Sequence, residues 1–356
     1  MAVDSNFRKK EGLCSFMLKF KNMITCIDAH TGGEPLRIVT SGFPPILGKT
    51  ILEKRKYVLE NLDHLRKMIM LEPRGHSGMY GCILCEPVTE DGDFAVLFTH
   101  NEGLSSMCGH AVIALSKVAI EMGMMESKEG INIIKIDVPA GRITCTAEVK
   151  GGEVERVSFQ NVPCFIYQRD LKILVDDIGE INGDIAYCGA FYVYVDVTQL
   201  NLLVTPEHAE RLAALGTEIK RKVESVTKFV HPTEPGIDWL YGTILYEPLD
   251  VRGDKLYTRN VCIFADGQID RCPTGSGTGG RVALHYGKGE LRANQILIND
   301  SIINTPMEGE IVSETKVGDY DAVITKVSGT AHIMGFNQLV LDPKDPLPEG
   351  FRISGH

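Results

Sequence analysis

Ser106-Met107-Cys108-Gly109-His110-Ala111 sets a cysteine, a glycine and a histidine ahead of the apolar run Val112 to Ala119. The pattern predicts a thiol at the N-terminus of a buried helix ending near Gly123. Unpaired N–H groups and the positive end of the helix dipole gather there. A thiol so placed ionises more easily, and the thiolate is its reactive form. The same N–H groups bind a carboxylate. A base beside an anion cradle implies proton abstraction next to a carboxyl group. A fainter echo follows at Thr274-Gly275-Ser276, where a polar side chain and a glycine lead through Gly277-Thr278-Gly279-Gly280 into Arg281 to Leu284. Two such starts fit two related halves, each aiming a helix tip at one central site.

The elements that must hold these residues are mostly strands. Ile24–Asp28, Leu36–Thr40, Tyr80–Cys85, Asp93–Phe98, Ile131–Asp137, Arg142–Val149 and Val154–Phe159 read as strands. So do Ile185–Val197 as one long run, Ile237–Glu247, Lys255–Ala265, Ala322–Val327 and Thr330–Leu341. Lys49–Met70 and Pro206–Ser225 read as helices. The order is β-rich with few helices, which favours an α+β fold over a doubly wound sheet.

The chain has 356 residues, 44% of them hydrophobic, so it can bury a large core. Lys+Arg 37 against Asp+Glu 47 gives a net charge of -10, which argues against a nucleic-acid surface. No apolar run reaches the length of a membrane span. Ten cysteines without framework spacing point to a reducing, cytoplasmic setting. Residues 1–22 read as an extension, with a short apolar patch Leu13–Phe16 and the basic Arg8, Lys9 and Lys10. Gly275 to Gly280 fits G-x-G-x-x-G, but turn residues and Pro273 precede it where a strand should, so it is read as a decoy. Cys82 and Cys85, three apart on a strand, face opposite sides and do not share a metal. The chemistry expected here needs no cofactor and no metal.

Longer motifs identify a resemblance. Asp28 to Pro35, Glu72-Pro73-Arg74-Gly75-His76 with Met79-Tyr80-Gly81, His100 to Gly103 with Met107 to His110, and Arg259-Asn260-Val261 with Phe264-Ala265-Asp266 and Asp270-Arg271 resemble the proline racemase family. That family shares its fold with diaminopimelate epimerase. The resemblance implies two pseudo-symmetric domains, each a curved antiparallel sheet around a central helix, with the site in the cleft between them. The first would span residues 23–150 plus about 331–356, the second 151–330. It also admits a homodimer.

One departure carries the functional expectation. Racemases of this family carry a second catalytic cysteine where this chain has Thr274. That replacement resembles the branch that dehydrates trans-3-hydroxy-L-proline to Δ1-pyrroline-2-carboxylate. Racemisation needs an acid and a base on opposite faces of the α-carbon. Dehydration needs one α-proton removed while the β-hydroxyl departs, and a threonine hydroxyl is too weak a base to supply the second face. Because the α-hydrogen and the hydroxyl of the trans isomer share a face of the ring, Cys108 is expected to accept the proton and then, as a thiol, to protonate the leaving hydroxyl. The N–H groups of Gly109, His110, Gly275 and Ser276 would hold the imino acid's carboxylate, and Asp270 its ammonium. Thr274 would act as a spacer or an N-cap, with Tyr80 and Phe264 as apolar walls. Cys272 reads as a small buried residue; a register shift would bring it in as a second thiol and favour an epimerase. A non-catalytic imino-acid binder is the third reading, against which Cys108 argues.

Overall fold

The computed structural model describes residues 22–353. The expectations placed on residues 1–21, namely the extension and its basic cluster, lie outside the described residues. The helices are α1 (Ile51–Tyr57), α2 (Asp63–Met70), α3 (Gly109–Glu121), α4 (Ala209–Val226) and α5 (Gly275–Gly287). The α1 start is secured by a capping box in which Thr50 and Glu53 satisfy each other's backbone N–H. The helix expected over Lys49–Met70 is interrupted by a π turn, Val58–Leu62, which leaves Leu59 on the solvent side.

In the second half, strands Cys164–Val175, Gly179–Tyr187, Phe191–Asp196, Leu240–Tyr246, Lys255–Phe264, Ile296–Asp300, Pro306–Val317 and Tyr320–Gly329 pair in that order. The last of them closes on the first, so the sheet curls around α5. In the first half the order is Ala331–Leu341, Asn22–Thr31, Glu34–Ser41, Tyr80–Cys85, Phe94–His100, Gly130–Val138, Gly141–Lys150 and Glu153–Gln160. Glu153–Gln160 meets the end of Tyr320–Gly329, which runs on into Ala331–Leu341, and this sheet surrounds α3.

The resemblance implied antiparallel sheets, and the sheets are mostly so, with four parallel pairs. Glu34–Ser41 with Tyr80–Cys85, Phe94–His100 with Gly130–Val138, Phe191–Asp196 with Leu240–Tyr246, and Lys255–Phe264 with Ile296–Asp300 are parallel. A parallel pair needs a long crossover, and a helix usually supplies it. Here α1 and α2, then α3, then α4, then α5 do so in turn. Each half therefore repeats one outer helical crossover, α1 with α2 or α4 alone, followed by one central helix. That repeat is what lay behind the faint echo of Cys108-Gly109 in Thr274-Gly275.

Both central helices are buried nearly all round, as a helix enclosed by sheet must be. Glycines thin α5 where strands press on it: a Cβ at Gly280 would collide with the Tyr194 hydroxyl and the Cys188 sulfur. The long run expected over Ile185–Val197 is two strands. It breaks at Cys188–Ala190, where Gly189 takes φ 93. Strands Cys164–Val175, Ile296–Asp300 and Pro306–Val317 were not expected. The first and last carry charged stretches, and register shifts break their alternation. Among the described residues no helix is long and apolar enough to cross a membrane.

Candidate active site

The tips of α3 and α5 meet end to end. A Cβ built on Gly109 would lie 2.6 Å from the Gly275 Cα, and one on Gly275 would lie 2.8 Å from the Gly109 Cα. Only glycine at both positions permits this approach. The first-turn N–H groups of both helices, including those of Gly109, His110, Gly275 and Ser276, have no helical partner and converge on one small space. The residues before Cys108 are stitched across to the other half: the Ser106 hydroxyl donates to the Gly189 carbonyl at 2.6 Å.

Cys108 occupies the N-cap of α3 with extended backbone and makes no side-chain cap. Its sulfur lies 3.1 Å from His110 Nδ1. Burial holds the His110 imidazole down to about 3, against the opposing pull of the Pro35 carbonyl, so it is neutral. A neutral imidazole has one ring nitrogen that can accept a hydrogen bond from the thiol. Burial raises the Cys108 pKa well above its usual value, and the Asp270 and Glu34 carboxylates raise it further. The Ala111 N–H and the Tyr80 hydroxyl work against that rise. The sequence expectation of easy ionisation is thus corrected: at the closed site desolvation outweighs the helix terminus, and Cys108 rests as a thiol.

On the facing side the chain winds around Asp270. The Cys272 N–H donates to Oδ1 at 2.9 Å and the Thr274 hydroxyl to Oδ2 at 2.8 Å. Thr274 caps α5 by position but offers it no side-chain cap, which removes the N-cap reading. Its φ of 61 is unusual for a β-branched residue and marks local strain at the site. The Cys272 sulfur accepts the Thr274 N–H at 3.3 Å and is buried. Asn260 and Asn299 hold the Pro273 carbonyl at 3.0 and 3.3 Å, which gives the Arg259-Asn260-Val261 motif a structural task. Burial pushes the Asp270 carboxyl up, against its two hydrogen bonds.

The cavity between the tips is lined by Cys108, Gly109, His110, Asp270, Thr274, Gly275, Ser276, Tyr80 and Phe264, all named from the sequence. It is also lined by Glu34, Met107, Tyr192 and Tyr241, which sequence reasoning missed. Glu34 is fully buried and takes the Arg271 backbone N–H at 2.8 Å and its guanidinium at 3.1 Å. Burial, then Asp270, pushes its carboxyl well up. The signal for it was present: a lone acid in an otherwise apolar strand start, with its arginine in a second motif. Tyr192 donates to or accepts from the Ser276 hydroxyl at 2.8 Å. Tyr80 is not a purely apolar wall, since its hydroxyl bonds that of Ser105.

The cavity measures about 20 Å³, room for a single water, so the halves must part to admit a ring. A groove of about 940 Å³ along Cys164–Arg169 and the end of α5 is far larger. It contains neither helix tip nor Cys108, so chemistry and not size locates the site. His110, Asp270 and Cys272 place donor atoms within 4.8 Å of one another, as a cation site would. Those atoms are already engaged, His110 with the Cys108 sulfur, Asp270 with the Cys272 N–H and the Thr274 hydroxyl, and Cys272 with the Thr274 N–H.

Residues 26–352 match the family model described as proline racemase. A protein of Bacillus thuringiensis subsp. konkukian named trans-3-hydroxy-L-proline dehydratase is 47% identical over 94% of this chain and 99% of its own length. One of Burkholderia multivorans named 3-hydroxyproline 2-epimerase is 44% identical over 94% of this chain and 100% of its own. The crystal structure of a hydroxyproline epimerase from Agrobacterium vitis with bound trans-4-hydroxy-L-proline superposes with a TM-score of 0.88 at 28% identity, covering 94% of this chain and 97% of that one.

Proposed function

The chain belongs to the proline racemase family, and on that footing we propose that it dehydrates trans-3-hydroxy-L-proline to Δ1-pyrroline-2-carboxylate. The observation that carries the reading is Thr274. It stands on the tip opposite Cys108, and its hydroxyl proton is given to Asp270. The cavity then offers the α-carbon one proton-transfer side chain of suitable strength, Cys108.

The geometry supports the following course. The substrate carboxylate sits at the joined helix tips, where N–H groups stabilise the charge that develops as the α-carbanion forms. The ring ammonium faces Asp270, beside Glu34. Its positive charge offsets the two carboxylates that hold the Cys108 thiol up, so the thiol ionises, its proton lost to water before the halves close. The thiolate removes the α-proton. In the trans isomer the α-hydrogen and the hydroxyl both lie opposite the carboxylate, hence on the same face as Cys108. Loss of the hydroxyl gives an enamine, which tautomerises to the cyclic imine.

The epimerase reading has one observation in its favour, a second thiol nearby. The Cys272 sulfur, however, is turned to the Thr274 N–H and is not among the residues lining the cavity. Proton NMR of the protein with trans-3-hydroxy-L-proline, beside L-proline and trans-4-hydroxy-L-proline, tests the assignment. Conversion of the first to the pyrroline without inversion of the others is expected. Inversion without dehydration would overturn it, and dehydration by a Cys108→Ala variant would remove Cys108 from its role.

A further inference from the structure

Cleavage of the carbon–oxygen bond releases hydroxide unless the departing oxygen receives a proton, and a positioned acid accelerates that step. Beside Cys108 the cavity wall carries a buried row of hydroxyls. Tyr80 Oη bonds Ser105 Oγ, and Ser105 Oγ lies 3.5 Å from Tyr241 Oη. Tyr80 and Tyr241 line the cavity together with Cys108, and the Tyr80 ring meets that of His110, which abuts the Cys108 sulfur, edge-on at 4.8 Å. The rest of this wall is apolar: Phe264 stacks on Tyr241 at 5.5 Å and meets Tyr80 edge-on at 6.1 Å.

We propose that Tyr80 donates the proton to the departing 3-hydroxyl, with Ser105 and Tyr241 as its positioning partners. This rests on the dehydratase reading, because only there does a hydroxyl leave on the Cys108 face. The alternatives on the page are otherwise occupied. The Thr274 hydroxyl is on the opposite tip and given to Asp270, and the neutral His110 ring is turned to the Cys108 sulfur. Burial keeps the Tyr80 and Tyr241 phenols well above their ordinary pKa, so both stand protonated.

The protons balance. The α-C–H bond breaks to give the Cys108 thiol, and the electron pair forms the ring double bond as the C–O bond breaks. The Tyr80 proton passes to the departing oxygen, which leaves as water. The Cys108 thiol returns its proton to the Tyr80 oxygen, while the Ser105 hydroxyl donates to that oxygen in between. Cys108 is then again a thiolate and Tyr80 again a phenol. The acid role expected of Cys108 is thereby exercised through Tyr80.

The test compares two leaving groups. Fluoride departs without a proton, so trans-3-fluoro-L-proline needs Cys108 but not the acid. Wild type, Tyr80→Phe, Tyr241→Phe and Ser105→Ala are assayed with both compounds. Both reactions slow in Tyr80→Phe, because its hydroxyl also favours the Cys108 thiolate, but dehydration is expected to fall about 10²-fold further than fluoride release. Tyr241→Phe and Ser105→Ala shift the ratio the same way by less. A proportional fall on both compounds, or no fall on either, overturns the proposal. Should Tyr80→Phe fail to fold, the other two variants decide, and an unchanged ratio in both overturns it. A wild type that releases fluoride but never dehydrates the hydroxy compound overturns the dehydratase reading instead.

Discussion

Adding one methyl group to the α3 tip tests the central geometric claim. In Gly109→Ala the new Cβ meets the Gly275 Cα at 2.6 Å, its carbonyl carbon at 2.8 Å and the Phe159 ring at 2.9 Å. Non-bonded carbons prefer about 3.5–4.0 Å, so the tips must separate by roughly 1 Å. Two of these neighbours are backbone, and no rotamer relieves them. N–H donors that should sit about 2.7–3.1 Å from the developing charge are displaced by a comparable distance. A misplacement of that size costs about 10²-fold in kcat/KM, or roughly 2.7 kcal/mol of transition-state binding. Overpacking removes about 1–3 kcal/mol of stability, and the better helix propensity of alanine returns a part of it. Steady-state kinetics beside a thermal melt should therefore show activity falling further than stability. Gly103→Ala is the control, because a Cβ there meets nothing within 4 Å. Wild-type kcat/KM in Gly109→Ala would refute the claim that the helix tips form the carboxylate site by direct contact.

Cys272→Ser should keep most of the dehydratase activity, because the sulfur does not line the cavity and a hydroxyl can also receive the Thr274 N–H; loss of activity measured by product formation would make it a participant. Thr274→Cys puts a thiol opposite Cys108 and should introduce inversion at the α-carbon, read by chiral chromatography of 3-hydroxyproline or proline. Stability should fall with acid. His100 and His110 are both held down to about 3 by burial, against 6.5 in the unfolded chain. The unfolded state then binds protons that the folded state refuses. This contribution is fully present above pH 6.5 and is lost toward pH 3 at about 1.4 kcal/mol per pH unit for each histidine. Denaturant titrations across that range would show it, and a flat stability would mean that the two rings are solvated.

Much of the site was legible because its key atoms follow one another in sequence. Cys108, Gly109 and His110 announce a helix tip, and Thr274-Gly275-Ser276 announces another. What escaped notice arrives by long-range pairing. Tyr241 reaches the cavity because its strand pairs in parallel with Phe191–Asp196, and Tyr192 because it sits on that partner strand. Neither pairing leaves a local mark. The resting state of Cys108 escaped for another reason: a helix terminus can be read from the chain, but the depth of the protein covering it cannot. Thr274 misled in the same way. Its residue type suits an N-cap, whereas the turn around Asp270 sends the hydroxyl elsewhere.

The meeting of Gly109 and Gly275 has an evolutionary consequence. On the proposed reading the two tips form a carboxylate receptor made of main-chain N–H groups, which has no side chain to substitute, so drift in sequence cannot retune it. It can only be kept or broken. Each half owns half of the receptor, so neither has a function that selection could preserve alone. Novelty in such a scaffold must be written on the surrounding surfaces, at positions such as Thr274, Tyr80 and Tyr241, while every new substrate inherits the same obligatory handle: a carboxylate beside the carbon that reacts.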